Sequence, residues 1–457
     1  MNPTKIESTI LVIFGISGDL SRKKLIPALF NLFKQNYLPN EFKIIGLSRQ
    51  NINLDEFFNK LNFENEDPLM INNFKKKLSF VNFDPQTIED YKTLKTMLVD
   101  QLNDFNCDRL NLLLYLSIPP NIYSNVVRNL GQAELNENNE QFDVKLLVEK
   151  PFGYDLKSAE KLINDTKEYF TEDQVFRIDH YLAKDTAQNI LTFRRYNPLF
   201  QTAWNNQHIK DIKIIALEQI GIEGRAKFYE SIGALRDLIQ SHLLQLMALI
   251  TLTLPKDLAN KESIHLARHD ILSNLKPFIN TDEVARNVLR GQYETYRQEV
   301  DNVDSMVETY ASVTVEIENS IWKGVPITLT TGKGMDEKRT EIIINFTANH
   351  EQALNKLTFR IQPNEGIGVY LTVKKPGLDR TTETVSMDFS YKNSFKELSY
   401  NTSYEKVIID VLNKDNTLFA TADEIIDTWT ILQPVIDYWS TNQNDLIIYP
   451  NGSGELN

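Results

Sequence analysis

One cysteine in 457 residues, Cys107, excludes an internal disulfide framework and any thiolate metal cluster. No apolar run approaches the ~20 residues a membrane-spanning helix needs, so no membrane partner is expected. The opening residues, Met1-Asn2-Pro3-Thr4-Lys5-Ile6-Glu7, have no basic stretch leading into an apolar core, so no secretory signal is expected. Basic residues are the minority: 49 Lys and Arg against 62 Asp and Glu, a net charge of −13. That balance argues against a general nucleic-acid surface, and an anionic substrate would need a local basic pocket. Histidine is scarce at six, so each one inside a motif stands out. Internal repeats and long low-complexity linkers are missing. What is left, 42% hydrophobic and 24% charged, reads as a soluble globular chain of two or three domains in a reducing cytoplasm.

Ser8 to Phe14 is an apolar, β-branched run, as expected of a buried parallel strand. Gly15-Ile16-Ser17-Gly18-Asp19-Leu20 follows at once. Ser21 to Lys34 then reads as an amphipathic helix with Leu25, Ala28, Leu29, Leu32 and Phe33 on one side. Phe42 to Leu47 is the next strand. This is a βαβ unit whose glycine turn can hold a pyrophosphate on backbone N–H groups and a helix N-terminus. The turn is not a full GxGxxG, because Ser17 and Leu20 occupy the second and third glycine positions. After the second strand, where NAD-binding units place an acid, stand Ser48-Arg49-Gln50, and a cation there suits the 2′-phosphate of NADP.

Asn51 to Asp108 reads as helices covering the sheet. Leu110 to Leu116 is a third strand stopped by Ser117-Ile118-Pro119-Pro120, and Val144 to Val148 a fourth stopped by Glu149-Lys150-Pro151-Phe152-Gly153. Strand ends line the ligand crevice of an open parallel sheet, so Lys150 is placed where cofactor meets substrate. Val175 to Ile178 is a short fifth strand. It delivers Asp179-His180-Tyr181-Leu182-Ala183-Lys184 to the same edge. If this stretch is helical, His180 and Lys184 share a face and can grip one phosphate, while Asp179 points elsewhere. A solvated, charged helix start is the plain alternative.

From Ile209 onward the pattern becomes alternating strand-like runs: 212–219, 310–318, 325–331, 341–346, 356–361, 369–374 and 383–389. They predict a largely antiparallel sheet, with helices near 232–252, 404–413 and 422–439 and a frayed tail from Asn451. The expected architecture is α/β plus α+β: a Rossmann-type dinucleotide-binding domain over 1–178, then a larger domain over 179–457 with a mainly antiparallel sheet covered by helices. Within the later half, His242 lies in an apolar helix. Asp237, five residues earlier, is not expected to share its face. Lys333 and Lys338 fall in a turn after a strand.

These segments together resemble glucose-6-phosphate dehydrogenases. In order they are GISGDL, SIPP, EKPFG, RIDHYLAK, GIEGR, GALRDLIQSHLLQL, GVPITLTTGK, IQPNEGI and ADEIIDTW, nearly the whole chain. The resemblance implies oxidation of D-glucose 6-phosphate at C1 to 6-phospho-D-glucono-1,5-lactone, the first step of the oxidative pentose phosphate pathway. Hydride would pass to NADP, with NAD use open and no metal. By the same resemblance His242 matches the general base and Asp179 the carboxylate that orients it. His180, Tyr181, Lys184 and Lys338 match the phosphate grip. Lys150, Glu218 and Asp237 match residues holding sugar hydroxyls, with Lys333 also in the pocket. Gly15, Ser17, Gly18, Asp19 and Leu20 match the nucleotide turn, and Arg49, with Ser48 beside it, the 2′-phosphate contact; Lys150 also counts with the cofactor groups. A homodimer or homotetramer built on the second-domain sheet is implied.

The chain departs from the common pattern at Ile321 and Thr331, where many members carry arginine, and more mildly at Ala183 and Asp185. Another two-domain sugar oxidoreductase would share EKP but neither RIDHYLxK nor ALRDxxQxHLLQ. A catalytically silent relative would be expected to have lost His242, Asp179 or a phosphate lysine, and all are present.

Overall fold

A computed structural model describes residues 7–61, 63, 65–258, 260–348, 355–395 and 402–456. The N-terminal residues read above for a secretory signal therefore lie, except Glu7, outside the described residues. The chain divides into two compact units: Met1–Gly153 with Lys157–Ala183 and Asn401–Ala422, and Tyr154–Leu156 with Lys184–Tyr400 and Asp423–Asn457. The expected domains, 1–178 and 179–457, differ from this partition chiefly at the segment before Ala422. Val407, Ile408, Val411, Leu412 and Phe419 are buried in the core of the first unit, so burial of an apolar helix face assigns it there.

The first unit is built on six parallel strands: β1 (Thr9–Phe14), β2 (Phe42–Ser48), β3 (Leu78–Asn82), β4 (Leu110–Leu116), β5 (Phe142–Glu149) and β6 (Val175–Ile178). Their spatial order is β3-β2-β1-β4-β5-β6, the doubly wound order of a dinucleotide-binding sheet. Every residue of β1 and β4 is buried, which is why both read as unbroken apolar runs. The edge strand β3 falls within the stretch expected to be helical. Its sequence, Leu78-Ser79-Phe80-Val81-Asn82, is short and mostly half-buried, so it lacks the long apolar run of its neighbours.

The second unit holds a nine-stranded sheet: β7 (Ile209–Leu217), β8 (Val288–Tyr293), β9 (Tyr310–Val315), β10 (Ile327–Gly332), β11 (Arg339–Phe346), β12 (Lys356–Gln362), β13 (Gly366–Lys374), β14 (Thr382–Ser390) and β15 (Leu446–Tyr449). The order is β14-β13-β12-β11-β7-β10-β9-β8-β15. Pairs β7–β10 and β8–β15 are parallel and the rest antiparallel, as the alternation predicts. The tail is not frayed over its described residues. Gly452 donates to the Gly334 carbonyl, Asp336 to that of Ser453, and Leu456 packs near Gly291.

Two helices open on wider turns than an α-helix. Ser21–Leu25 and Leu235–Leu243 are π-helical and continue as α-helices at Ile26–Lys34 and Leu244–Thr251. At the end of the second, the Leu244 N–H donates to the Ile239 carbonyl, an i→i−5 bond. A helix wound this way turns less per residue, so residues five apart come nearer a common face. The expected separation of Asp237 from His242 rests on an α-helical period that this segment does not keep.

Candidate active site

In the first unit a cavity of about 530 Å³ opens at the C-terminal ends of the strands, where the strand order reverses between β1 and β4. Gly15, Ser17, Gly18, Ser48 and Arg49 line it together with Phe83, Asp84, Gln86 and Ser117. Gly15 has φ +80°, and a Cβ there would stand 2.2 Å from the Ser117 carbonyl oxygen, so only glycine lets the turn pass this close. The Ser21 hydroxyl lies 3.3 Å from the Gly15 carbonyl and 3.2 Å from the Ser117 hydroxyl, tying the two turns together. Asp19 and Leu20 do not line the cavity. The exposed Asp19 carboxylate is bonded to Lys23 and Arg22, which hold its pKa below the usual range. The contributors after β3 escaped the sequence reading because β3 itself did.

Glu149 pairs with Ile178 across β5 and β6, so Lys150 and Asp179, the next residue on each strand, leave the sheet at one edge. Asp179 is buried, and its Oδ1 accepts the Tyr181 N–H at 2.9 Å. That side-chain turn competes with a helix. Residues 179–184 are accordingly a turn, and the next helix, Asp185–Tyr196, has Lys184 as its N-cap. The helical spacing that would set His180 and Lys184 on one face is therefore not the geometry of this stretch. The His180 ring instead meets the Tyr181 ring edge-on at 5.0 Å. Glu149, not singled out from the sequence, accepts the Tyr115 hydroxyl, and desolvation raises its carboxyl to about 7 against the pull of Tyr115, Tyr404 and Lys150.

In the second unit Lys333 is buried. Its Nζ is bonded to Glu218 and lies 3.9 Å from Asp237 Oδ2 and 5.3 Å from the centre of the Tyr229 ring. Three residues from three segments thus close into one ionic cluster over an aromatic floor. Backbone pairing fixes it: Glu218 donates to the Gly332 carbonyl and Met335 to that of Glu218. Lys184 donates to Gln362. Burial first, then the nearby Lys338 ammonium, lowers its pKa to about 8 against the opposing Glu365.

His242 is fully buried in the π-helical segment. Gly233 precedes that segment at φ +69°, where a Cβ would lie 2.4 Å from Glu308 Oε1. The Glu308 carboxylate accepts the Leu235 N–H at 3.0 Å and so caps the segment's N-terminus. Glu308 stands alone in the sequence before a strand and carries no motif signal. Thr331, at one departure, donates its hydroxyl to the Ala216 carbonyl at 2.9 Å and is satisfied inside the sheet. Ile321 lines a second, smaller cavity with Arg194 and Trp322.

Family models extend this reading to nearly the whole chain. Residues 12–189 match the glucose-6-phosphate dehydrogenase NAD binding domain, and residues 191–455 the glucose-6-phosphate dehydrogenase C-terminal domain. The chain belongs to the glucose-6-phosphate dehydrogenase family. It is an oxidoreductase with a dinucleotide-binding domain. It is 36% identical to the glucose-6-phosphate 1-dehydrogenase of Borreliella burgdorferi, over 96% of this chain and 94% of the relative. A solved glucose-6-phosphate dehydrogenase in complex with its substrate glucose-6-phosphate superposes with a TM-score of 0.92 at 32% identity, covering 100% of this chain and 97% of that one. The Mycobacterium avium glucose-6-phosphate 1-dehydrogenase follows at 0.83 and 30%, covering 98% and 95%.

Proposed function

We propose that the protein oxidises D-glucose 6-phosphate at C1 to 6-phospho-D-glucono-1,5-lactone with NADP as oxidant. The observation that carries the reading is the buried Lys333 ammonium held between Glu218 and Asp237 over the Tyr229 ring, in the compact unit that also holds Lys184, Lys338 and His242. Cations suit a dianionic phosphate, and paired carboxylates and an ammonium suit sugar hydroxyls. The strand-end cavity with its glycine turn and Arg49 fits a dinucleotide bearing a 2′-phosphate. NADP, when bound, supplies the hydride acceptor.

The chain's own residues do the rest. His242 takes the proton of the C1 hydroxyl as C1 loses hydride, and Asp179 orients its imidazole and stabilises the imidazolium. His180, Tyr181, Lys184 and Lys338 hold the phosphate, remote from C1, and so position the reacting carbon. Lys150, Glu218, Asp237 and Lys333 hold the sugar hydroxyls, Lys150 also facing the cofactor. Gly15, Ser17, Gly18, Asp19, Leu20, Ser48 and Arg49 receive the dinucleotide. The chemistry requires no metal. On this reading 1–178 supplies cofactor binding and 179–457 substrate binding and oligomerisation in a cytoplasmic enzyme.

A homodimer or homotetramer is proposed through β13 and β14. Leu371 opposes Val385 and Val369 opposes Met387, and Leu371, Val373, Val385 and Met387 are all exposed along one face of that hairpin. A steady-state assay with glucose 6-phosphate and NADP tests the activity. Formation of reduced cofactor is expected, and its absence at saturating substrate would sink the proposal. Comparing kcat/KM for NADP and NAD decides the cofactor.

A further inference from the structure

Two glutamines flank His242, at Gln240 and Gln245, and both are buried, 4% and 2% exposed. A buried primary amide is costly unless its hydrogen bonds are met. Both reach the helix Ala422–Thr441. The Gln240 Nε2 donates to the Thr428 hydroxyl at 3.0 Å, and the Gln245 Nε2 approaches Glu424 Oε2 at 3.4 Å. Thr428 in turn donates to the Ile425 carbonyl of its own helix at 2.8 Å, so its oxygen is fixed as an acceptor. Glu424 is fixed too: Arg268 grips both its oxygens, at 2.8 and 3.1 Å, with both side chains wholly buried.

The spacings fit one another. Glu424 and Thr428 are four apart on a regular helix and share a face. Gln240 and Gln245 are five apart, which on an α-helix would put them on different faces. The wide turn closed by the Leu244 N–H on the Ile239 carbonyl lies between Gln240 and Gln245, which sits just past the π-helical segment, and brings them nearer to one face, where Gln240 meets Thr428 and Gln245 meets Glu424. The anchors therefore reward the wide winding, and a relaxed α-helical winding would turn His242 away from its direction.

We propose that Gln240 and Gln245, held by Thr428 and Glu424, are positioning residues that keep this segment wound wide and thereby aim His242. This rests on the assignment of His242 as the general base. The consequence is kinetic, because misplacing a reacting group by about 1 Å can cost as much as 10²-fold in rate.

The test uses the full-length enzyme. Thr428→Val, nearly isosteric, removes the acceptor of Gln240, and Gln240→Leu removes the donor. Each is expected to lower kcat roughly 10-fold, with KM for glucose 6-phosphate within about twofold, and to displace the acid limb of the kcat/KM–pH profile. The double variant should be no worse than either single, and Thr428→Ser, which keeps the hydroxyl, should restore turnover to within about twofold of wild type. The base assignment and the clamp fail separately. If His242→Ala turns over at the wild-type rate, the base is wrong and the clamp falls with it. If His242→Ala is inactive while Thr428→Val and Gln240→Leu keep wild-type kcat and pH profile, the clamp alone is overturned. A kcat loss that only tracks a lower Tm, with the pH profile in place, overturns it as well. Should Gln240→Leu fail to fold, Thr428→Val carries the test by itself.

Discussion

Raising the pH through about 8 should weaken binding of the phosphorylated sugar before it slows turnover. Lys184 is responsible: burial and the neighbouring Lys338 bring its pKa down to about 8, with Glu365 opposing. A lowered ammonium pKa means the cation is present below about 8 and lost above it. The phosphate monoester, with a second ionisation near about 6, is a dianion throughout this range and does not change. If only the protonated lysine binds, KM rises by a factor of 1 + 10^(pH − 8), about twofold at pH 8 and about tenfold at pH 9. The assay is kcat and KM for glucose 6-phosphate at saturating NADP, from about pH 7 to 9.5, with the inflection reporting the free enzyme. Lys338→Gln removes a like charge and should move the inflection upward, and Glu365→Gln should move it downward. Lys184→Arg should flatten the profile, since a guanidinium does not titrate there. A flat wild-type profile, or the same inflection in Lys184→Gln, would refute the assignment.

His242→Ala should lower kcat by about 10²–10⁴-fold while substrate still binds, as for loss of a general base. Isothermal titration beside steady-state kinetics checks both halves, and near-normal turnover contradicts the role. Arg49→Ala should reduce kcat/KM for NADP by about 10–100-fold, the size of a lost charge-assisted contact, and leave the value for NAD within about twofold. Equal losses for both cofactors would detach Arg49 from the 2′-phosphate. Met387→Lys, placed on the exposed apolar face of the β13–β14 hairpin, should shift the enzyme toward smaller species in light scattering after gel filtration. An unchanged mass would move the interface elsewhere.

The parallel core was legible because its strands are buried on both faces. Leu110–Leu116 and Val175–Ile178 match their apolar runs residue for residue. β3 and β15 were not legible, since an edge or short strand buries little, and β8 was not because its buried half, Arg290-Gly291-Gln292-Tyr293, is mostly polar or glycine and makes no apolar run. The helix at Ser403–Leu412 was readable as a helix, but not as part of the first unit's core: an amphipathic pattern says that a face is buried and never against what. In the site, motif residues separated by a hundred positions did come together, as Lys333 with Glu218, because backbone pairing of adjacent strands brings them there. Local geometry was harder. A helix over Asp179 to Lys184 is compatible with the residue types there, but the Asp179 carboxylate accepts the Tyr181 N–H and closes a turn instead.

The winding around His242 shows most plainly what a periodicity argument misses. Placing Asp237 and His242 on different faces followed from 3.6 residues per turn, and nothing within Leu235–Leu243 contradicts that period. The information that changes it lies elsewhere. Glu308 caps the segment from before β9, and Thr428 and Glu424 hold its glutamines from a helix some 180 positions later. A π-helical run has poorer intrinsic stability than an α-helix, so it persists where outside contacts favour it, and such runs gather at functional sites. The glutamines of QSHLLQ are then best understood as a pair with the Glu and Thr of ADEIIDTW: two motifs far apart in the chain, each polar where its helix is buried. If Thr428→Val and Gln240→Leu leave His242 chemistry unchanged, the wide winding does not depend on the Gln240–Thr428 bond, and the cap at Glu308 becomes the contact to test, Glu308→Gln being the variant that must move the pH profile.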